Sequence, residues 1–237
     1  MNQTELLWVE GFSKSFSGFQ ALHDVSFRLW ERDILGIIGP NGAGKTTLLE
    51  CLVGLLTVSS GLVLWKTRSL PVNKRKDLMF YLPQDITPYR DQPAFRLTGI
   101  CKDIYGVSRE REREVIRRLK LQSVLSRPVE ELSRGYRRRL LLAFALLTPR
   151  PLLLLDEPFD GLDPRQTLEV ADLLREESAS GRTLVLSVHQ LADAARICSR
   201  YLLLVEGKVV GCGTMEELRT QAGVESTNLE AIFFALT

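Results

Sequence analysis

The residues Gly39-Pro40-Asn41-Gly42-Ala43-Gly44-Lys45-Thr46, with Thr47 behind them, fit GxxxxGK[ST], a pattern suited to holding phosphate. Backbone N–H groups of such a turn point inward at phosphate oxygens, and its glycines let the main chain approach without a Cβ clash. The helix that follows turns its positive end to the negative charge. Lys45 is placed to bridge the β- and γ-phosphates of a nucleoside triphosphate, and the Thr46 hydroxyl to ligate Mg²⁺. The bland alternative is a Gly-rich turn of no function; an apolar run before it and a helical pattern after it weigh against that.

A second motif, PLLLLDEPFDGLD from Pro151 to Asp163, puts a carboxylate pair directly after four leucines. The leucines read as a buried strand, and open parallel sheets bind ligands at the C-terminal ends of their strands. Asp156 is placed to hold Mg²⁺ through its water shell, and Glu157 to polarise a water towards a γ-phosphate. An acidic turn after a core strand is common, so the pair takes its meaning from the phosphate loop.

Both motifs need strands to carry them, and the apolar pattern supplies these. Leu6–Phe12, Val25–Leu29, Ile34–Ile38, Leu62–Trp65 and Met79–Leu82 read as strands, with a helix from Gly44 to Val53. From Ala94 to Leu147 the patterns are helical. Arg109–Lys120 is a charged helix with Val115, Ile116 and Leu119 as its apolar stripe. The helix that starts near Arg134 turns apolar at Leu140 and stops before Pro149. Strands at Leu152–Leu155, Thr183–Val188 and Tyr201–Val205 then alternate with helices at Arg165–Glu177 and Leu191–Cys198. This alternation implies a parallel sheet covered on both faces, with the helical block inserted into it. Met215–Gln221 and Asn228–Leu236 are short amphipathic stretches near the C-terminus.

Composition narrows the class. With 237 residues, 45% hydrophobic and 25% charged, the chain can bury a sizeable core, which excludes global disorder. A net charge of +2 argues against a protein that coats nucleic acid. Cys51, Cys101, Cys198 and Cys212 show no CxxC spacing, and with only His23 and His189 they match no familiar zinc pattern. Scattered thiols suit a reducing cytosol. The longest apolar run, Leu140 to Leu147, falls well short of the roughly 20 residues that span a bilayer, and MNQTELLWVE carries no signal-peptide pattern, so a soluble chain is expected.

Five further elements, in order along the chain, make it resemble the nucleotide-binding subunit of ATP-binding cassette (ABC) transporters over essentially its whole length. Phe16, in FSKSFSGFQALHDVSF, matches the aromatic that stacks on adenine; a core phenylalanine is the alternative, since Phe12 and Phe19 lie nearby. Gln84, in YLPQD, matches the glutamine that senses Mg²⁺ and the attacking water. LSRGYRRRL, from Leu132 to Leu140, matches the signature LSGGQ: Ser133 and Gly135 are kept, Arg134 replaces a glycine and Tyr136 the glutamine. These substitutions resemble exporters of the ABC-2 class. Arg137, Arg138 and Arg139 also read as a solvated helix face. Asp163, in DGLDP, matches the loop that crosses a dimer seam, and it also suits a helix N-cap before Pro164. His189, in LSVHQ, matches a histidine that senses the γ-phosphate.

The resemblance implies an α/β P-loop NTPase core with a mostly parallel sheet, an N-terminal antiparallel β-subdomain and an inserted α-helical subdomain. It divides the chain into a core (1–85 and 151–213), a helical signature subdomain (86–150) and a C-terminal helical segment (214–237). It implies ATP and Mg²⁺ as cofactors. Glu157, His189 and Gln84 would be catalytic, Thr46, Gln84 and Asp156 would serve the metal, and Phe16 with residues 39–47 would bind nucleotide. Ser133, Arg134 and Gly135 would reach the nucleotide of a second copy, or of a related ABC subunit. An integral membrane permease would dock around Gln84–Phe95, placing the chain in the cytoplasm on the inner face of a membrane, with no nucleic acid expected. Three alternatives compete: an ABC ATPase acting on DNA or ribosomes, a nucleotide-binding regulator without turnover, and a generic P-loop kinase.

Overall fold

A computed structural model describes residues 4–87 and 89–237. The first half of the chain contains β1 (Glu5–Phe16), β2 (Phe19–Trp30), β3 (Ile34–Ile38), α1 (Lys45–Val53), β4 (Ser60–Trp65), β5 (Arg68–Ser69), α2 (Val72–Leu78) and β6 (Met79–Leu82). Three helices follow, α3 (Ala94–Tyr105), α4 (Arg109–Arg118) and α5 (Arg134–Leu147). The chain then runs through β7 (Leu152–Asp156), α6 (Pro164–Ala179), β8 (Thr183–Val188), α7 (Leu191–Ile197), β9 (Arg200–Val205) and β10 (Lys208–Gly213). It closes with α8 (Met215–Ala222) and α9 (Leu229–Leu236).

Two sheets result. One is antiparallel, in the order β2-β1-β4-β5; the other has the order β10-β9-β3-β8-β7-β6 and is parallel except where β10 joins β9. β3, β7 and β8 are buried along their whole length, as continuous apolar runs in a sheet covered on both faces must be. One face, with Leu35, Ile37, Leu152 and Leu154, packs against α1 and the antiparallel sheet. The opposite face, with Leu153, Leu155, Leu184 and Leu186, packs under α5, α6 and α7. The period of two along each strand therefore feeds two separate apolar layers.

The helical block is read correctly from its pattern. Val115, Ile116 and Leu119 are buried, Ser108 caps α4, and α5 stops at Thr148 in extended conformation before Pro149. β1 and β2 are longer than their alternation suggests, because register shifts at Val9/Phe12 and Phe12/Lys14 break the period of two. The short α2 and β5, and the antiparallel strand β10, carry no pattern that announced them.

Candidate nucleotide site

The phosphate loop leaves β3 between close neighbours. A Cβ at Gly39 would lie 2.0 Å from the Leu204 carbonyl oxygen, so only glycine fits there. Gly44 opens α1 at φ 102°, a left-handed conformation that other residues strain to adopt. Lys45 is buried, and its ammonium donates to Gly39 O at 2.8 Å and Pro40 O at 3.1 Å. An ammonium has three donors, so one remains for a ligand beyond the loop.

β7 ends beside this loop. Asp156 Oδ2 accepts from Thr46 Oγ1 at 2.8 Å and from the Tyr81 hydroxyl at 3.3 Å, while Ser187 donates to Oδ1. Two oxygen donors, Thr46 and Asp156, thus converge at one point. That suits Mg²⁺, which binds through one or two protein oxygens and fills its octahedron with water and phosphate. Among the described residues, no group of three or more His, Cys, Asp or Glu side chains could cage a metal by itself.

Glu157 follows at φ 51°, in the left-handed region, with its N–H held by Ser187 Oγ at 2.9 Å. Strained backbone of this kind persists only where its surroundings over-determine it, and it concentrates at functional sites. Burial raises the Glu157 carboxyl from its usual 4.5 to about 7, with Asp156 and Asp160 adding to the rise and Lys45 and Arg138 opposing it. His189 Nε2 lies 2.9 Å from Glu157 Oε2. Burial, helped by the Lys45 charge, lowers the His189 pKa against the pull of Asp160 and Asp156. Burial lowers the Lys45 pKa as well, against the pull of Glu157 and Asp156. A carboxylate poised near neutrality beside an imidazole can accept a proton from water or orient it.

One cleft of about 730 Å³ gathers most of these groups. Asn41, Gly42, Gly44, Lys45, Thr46 and Thr47 line one wall; Gln84, Glu157 and His189 line another. Gly39, Pro40 and Ala43 form the turn behind that wall, and Asp156 sits at its base through Thr46. Phe16 and Phe19 lie at the mouth, 41% and 68% exposed, whereas Phe12 is buried in the core. Phe16 is therefore a cleft residue rather than core, and Phe19 was missed. Ser187, Tyr81 and Asp160 were missed too; a serine inside the apolar strand TLVLSV was the one available signal.

Ser133 and Gly135 do not line the cleft. Ser133 caps α5 by accepting from Tyr136 N, and Asp163 caps α6 by accepting from Gln166 N at 2.8 Å. Arg134 reaches the cleft edge, held by Asp160 Oδ2 at 2.5 Å. The solvated-face reading of the three arginines fails for Arg138 and Arg139, which are buried. Backbone carbonyls take up their donors: Leu119 O accepts from Arg139, and five carbonyls on two loops accept from Arg138.

The chain matches the family model for ABC transporters over residues 22–160. It is 32% identical over 222 residues to the ABC transporter ATP-binding protein MJ1023 of Methanocaldococcus jannaschii, covering 92% of this chain and 81% of that one. It is 32% identical over 223 residues to the lipopolysaccharide export system ATP-binding protein LptB of Acidithiobacillus ferridurans, covering 91% and 92%. A solved ATP-binding subunit of an ABC transporter superposes with TM-score 0.88 at 29% identity, over 98% of this chain and 99% of that one. At 23% identity, the ADP conformation of the cassette MJ1267 shares the fold, with TM-score 0.79. With a phosphate loop, a carboxylate pair and this likeness in hand, the chain belongs to the ABC transporter family, as an ATP-binding and ATP-hydrolysing subunit.

Proposed function

We propose that the cleft binds Mg²⁺-ATP and that two copies of the chain, or this chain and a related subunit, close over the nucleotide. Lys45 meets the β- and γ-phosphates, residues 39–47 wrap the phosphate chain, and Phe16 stacks on the adenine. Thr46, Asp156 and Gln84 would hold Mg²⁺, which would neutralise charge developing on the phosphates. Glu157 orients the attacking water, and His189 holds the γ-phosphate side of the site. Ser133, Arg134 and Gly135 meet the nucleotide on the opposite copy, with Asp163 at the seam. Residues 1–85 and 151–213 act as the core, 86–150 as the helical signature subdomain and 214–237 as a C-terminal segment.

The observation that carries this proposal is the convergence of Lys45, Thr46, Glu157 and His189 on one cleft, with Asp156 bonded to Thr46. No helix among the described residues is long and apolar enough to cross a membrane. As an ATP-binding subunit of the transporter family, the chain would work with a membrane permease and sit on its cytoplasmic side. A groove of about 550 Å³ lined by Gln84, Ile86, Arg90, Arg137 and Leu141 is the seat for a permease helix. The relationship to the lipopolysaccharide export protein, together with LSRGYRRRL, favours an ABC-2-like exporter. Phosphate release from Mg²⁺-ATP tests the chemistry. Wild-type protein turns over and Glu157→Gln loses most of that turnover while keeping ATP affinity. Normal turnover in the variant removes Glu157 from the role.

A further inference from the structure

Arg138 has no part in the scheme above, yet it is the most heavily bonded side chain near the cleft. It is 4% exposed, and its guanidinium meets five backbone carbonyls on two separate loops. On the turn leaving β7, Nη2 donates to Asp156 O and, at 2.6 Å, to Glu157 O, while Nε donates to Pro158 O at 3.3 Å. On the loop leaving β6, Nη1 donates to Pro83 O and Gln84 O, each at 3.2 Å. A planar fork of five donors in fixed geometry can serve two loops at once.

The β7 turn held this way is the one that places Glu157 in the left-handed region. From one side Ser187 holds its N–H; from the other Arg138 holds the carbonyls on either side of Glu157 and its own. The same guanidinium ties Gln84 to that turn. Both loops are thereby fixed to α5, the helix that begins with Ser133, Arg134 and Gly135. We propose that Arg138 is a positioning residue for ATP hydrolysis: it locks the Glu157 turn and the Gln84 loop into one frame over the terminal phosphate. This inference rests on the roles proposed for Glu157 and Gln84. An error of about 1 Å in such a frame can slow a reaction by about a hundredfold. Arg138 bonds neither the phosphate loop nor Lys45, so ATP affinity is expected to change much less than kcat.

The test is a split between kcat and affinity in Arg138→Gln and Arg138→Lys, with kcat from phosphate release, ATP affinity from calorimetry and folding from circular dichroism. Arg138→Gln is expected to lower kcat by about tenfold or more with ATP affinity held within about threefold. Arg138→Lys keeps the charge but cannot span both loops, so its kcat falls between the two. A kcat within about twofold of wild type in both variants overturns the proposal, as does a parallel loss of kcat and affinity. Should Arg138→Gln not fold, Arg138→Lys decides alone: reduced kcat with unchanged affinity supports the proposal, and unchanged kcat overturns it. Glu157→Gln, assayed alongside, separates the layers. If it retains turnover, the role of Glu157 is wrong; if it is dead while both Arg138 variants run normally, the positioning role alone is wrong.

Discussion

Replacing Glu157 by glutamine is expected to make the protein more stable above neutral pH and to leave it nearly unchanged in mild acid. Glu157 is 6% exposed, and burial raises its carboxyl from 4.5 to about 7 in the folded chain. The sign follows from linkage. A folded-state pKa above the unfolded value means that the native state holds the proton more tightly. Native stability is therefore complete below the unfolded pKa, declines as pH rises through the folded value near 7, and stays lowered above it. At about 1.4 kcal/mol per pKa unit the penalty approaches about 3 kcal/mol above pH 8, an upper bound because neighbouring groups relax around the charge. Glutamine has the shape of the protonated acid and carries no such penalty. Urea unfolding of both proteins from pH 5 to pH 9, without nucleotide, reads the difference directly. The gap should be under about 1 kcal/mol at pH 5 and reach about 2–3 kcal/mol at pH 9, with the variant above. For a chain of this size that gap is roughly 5–10 °C in Tm. Parallel curves, or a wild type more stable at pH 9, would refute the assignment of a buried, desolvated carboxyl at this position.

Lys45→Ala removes a charged donor and is expected to weaken ATP binding by about 10- to 100-fold in calorimetry; unchanged affinity contradicts the cradle. Lys14 Nζ lies over the Phe16 ring at 4.7 Å and the ring lines the cleft; if it stacks on the base, Phe16→Ala should cost about fivefold in ATP affinity and nothing for tripolyphosphate. Equal losses for both ligands would rule out stacking. Glu177 is buried between Arg111, at 2.6 Å, and Arg182, at 3.4 Å, tying α4 to α6. Glu177→Gln removes the charge that two guanidinium groups share and should lower urea stability by on the order of 2–3 kcal/mol, whereas a loss under about 1 kcal/mol would show that charge to be dispensable.

Much of the site was legible because its chemistry is written in contiguous residues. The phosphate loop and the DE pair each follow an apolar run that can only be a buried strand, and β3 and β7 lie where those runs place them. His189 and Gln84 were legible only through family spacing, since a lone histidine or glutamine carries no pattern of its own. The part that no motif carries depends on contacts across the chain. Ser187 and Tyr81 act on Asp156 from other strands. Arg138 reads as solvated in the sequence because its acceptors are backbone carbonyls, which have no sequence signature. In the fold, α2 (VNKRKDL) is too short and polar to show a stripe, and Phe19 fell beyond a strand whose bulges hid its true length.

The central claim is that one nucleotide is clamped between two subunits. Light scattering of purified Glu157→Gln in Mg²⁺-ATP tests it most directly, with Mg²⁺-ADP as the reference. A 26.8 kDa chain should appear at twice that mass in ATP and at its own mass in ADP. A variant that binds ATP yet keeps the 26.8 kDa mass in both would contradict a site shared between two copies of this chain.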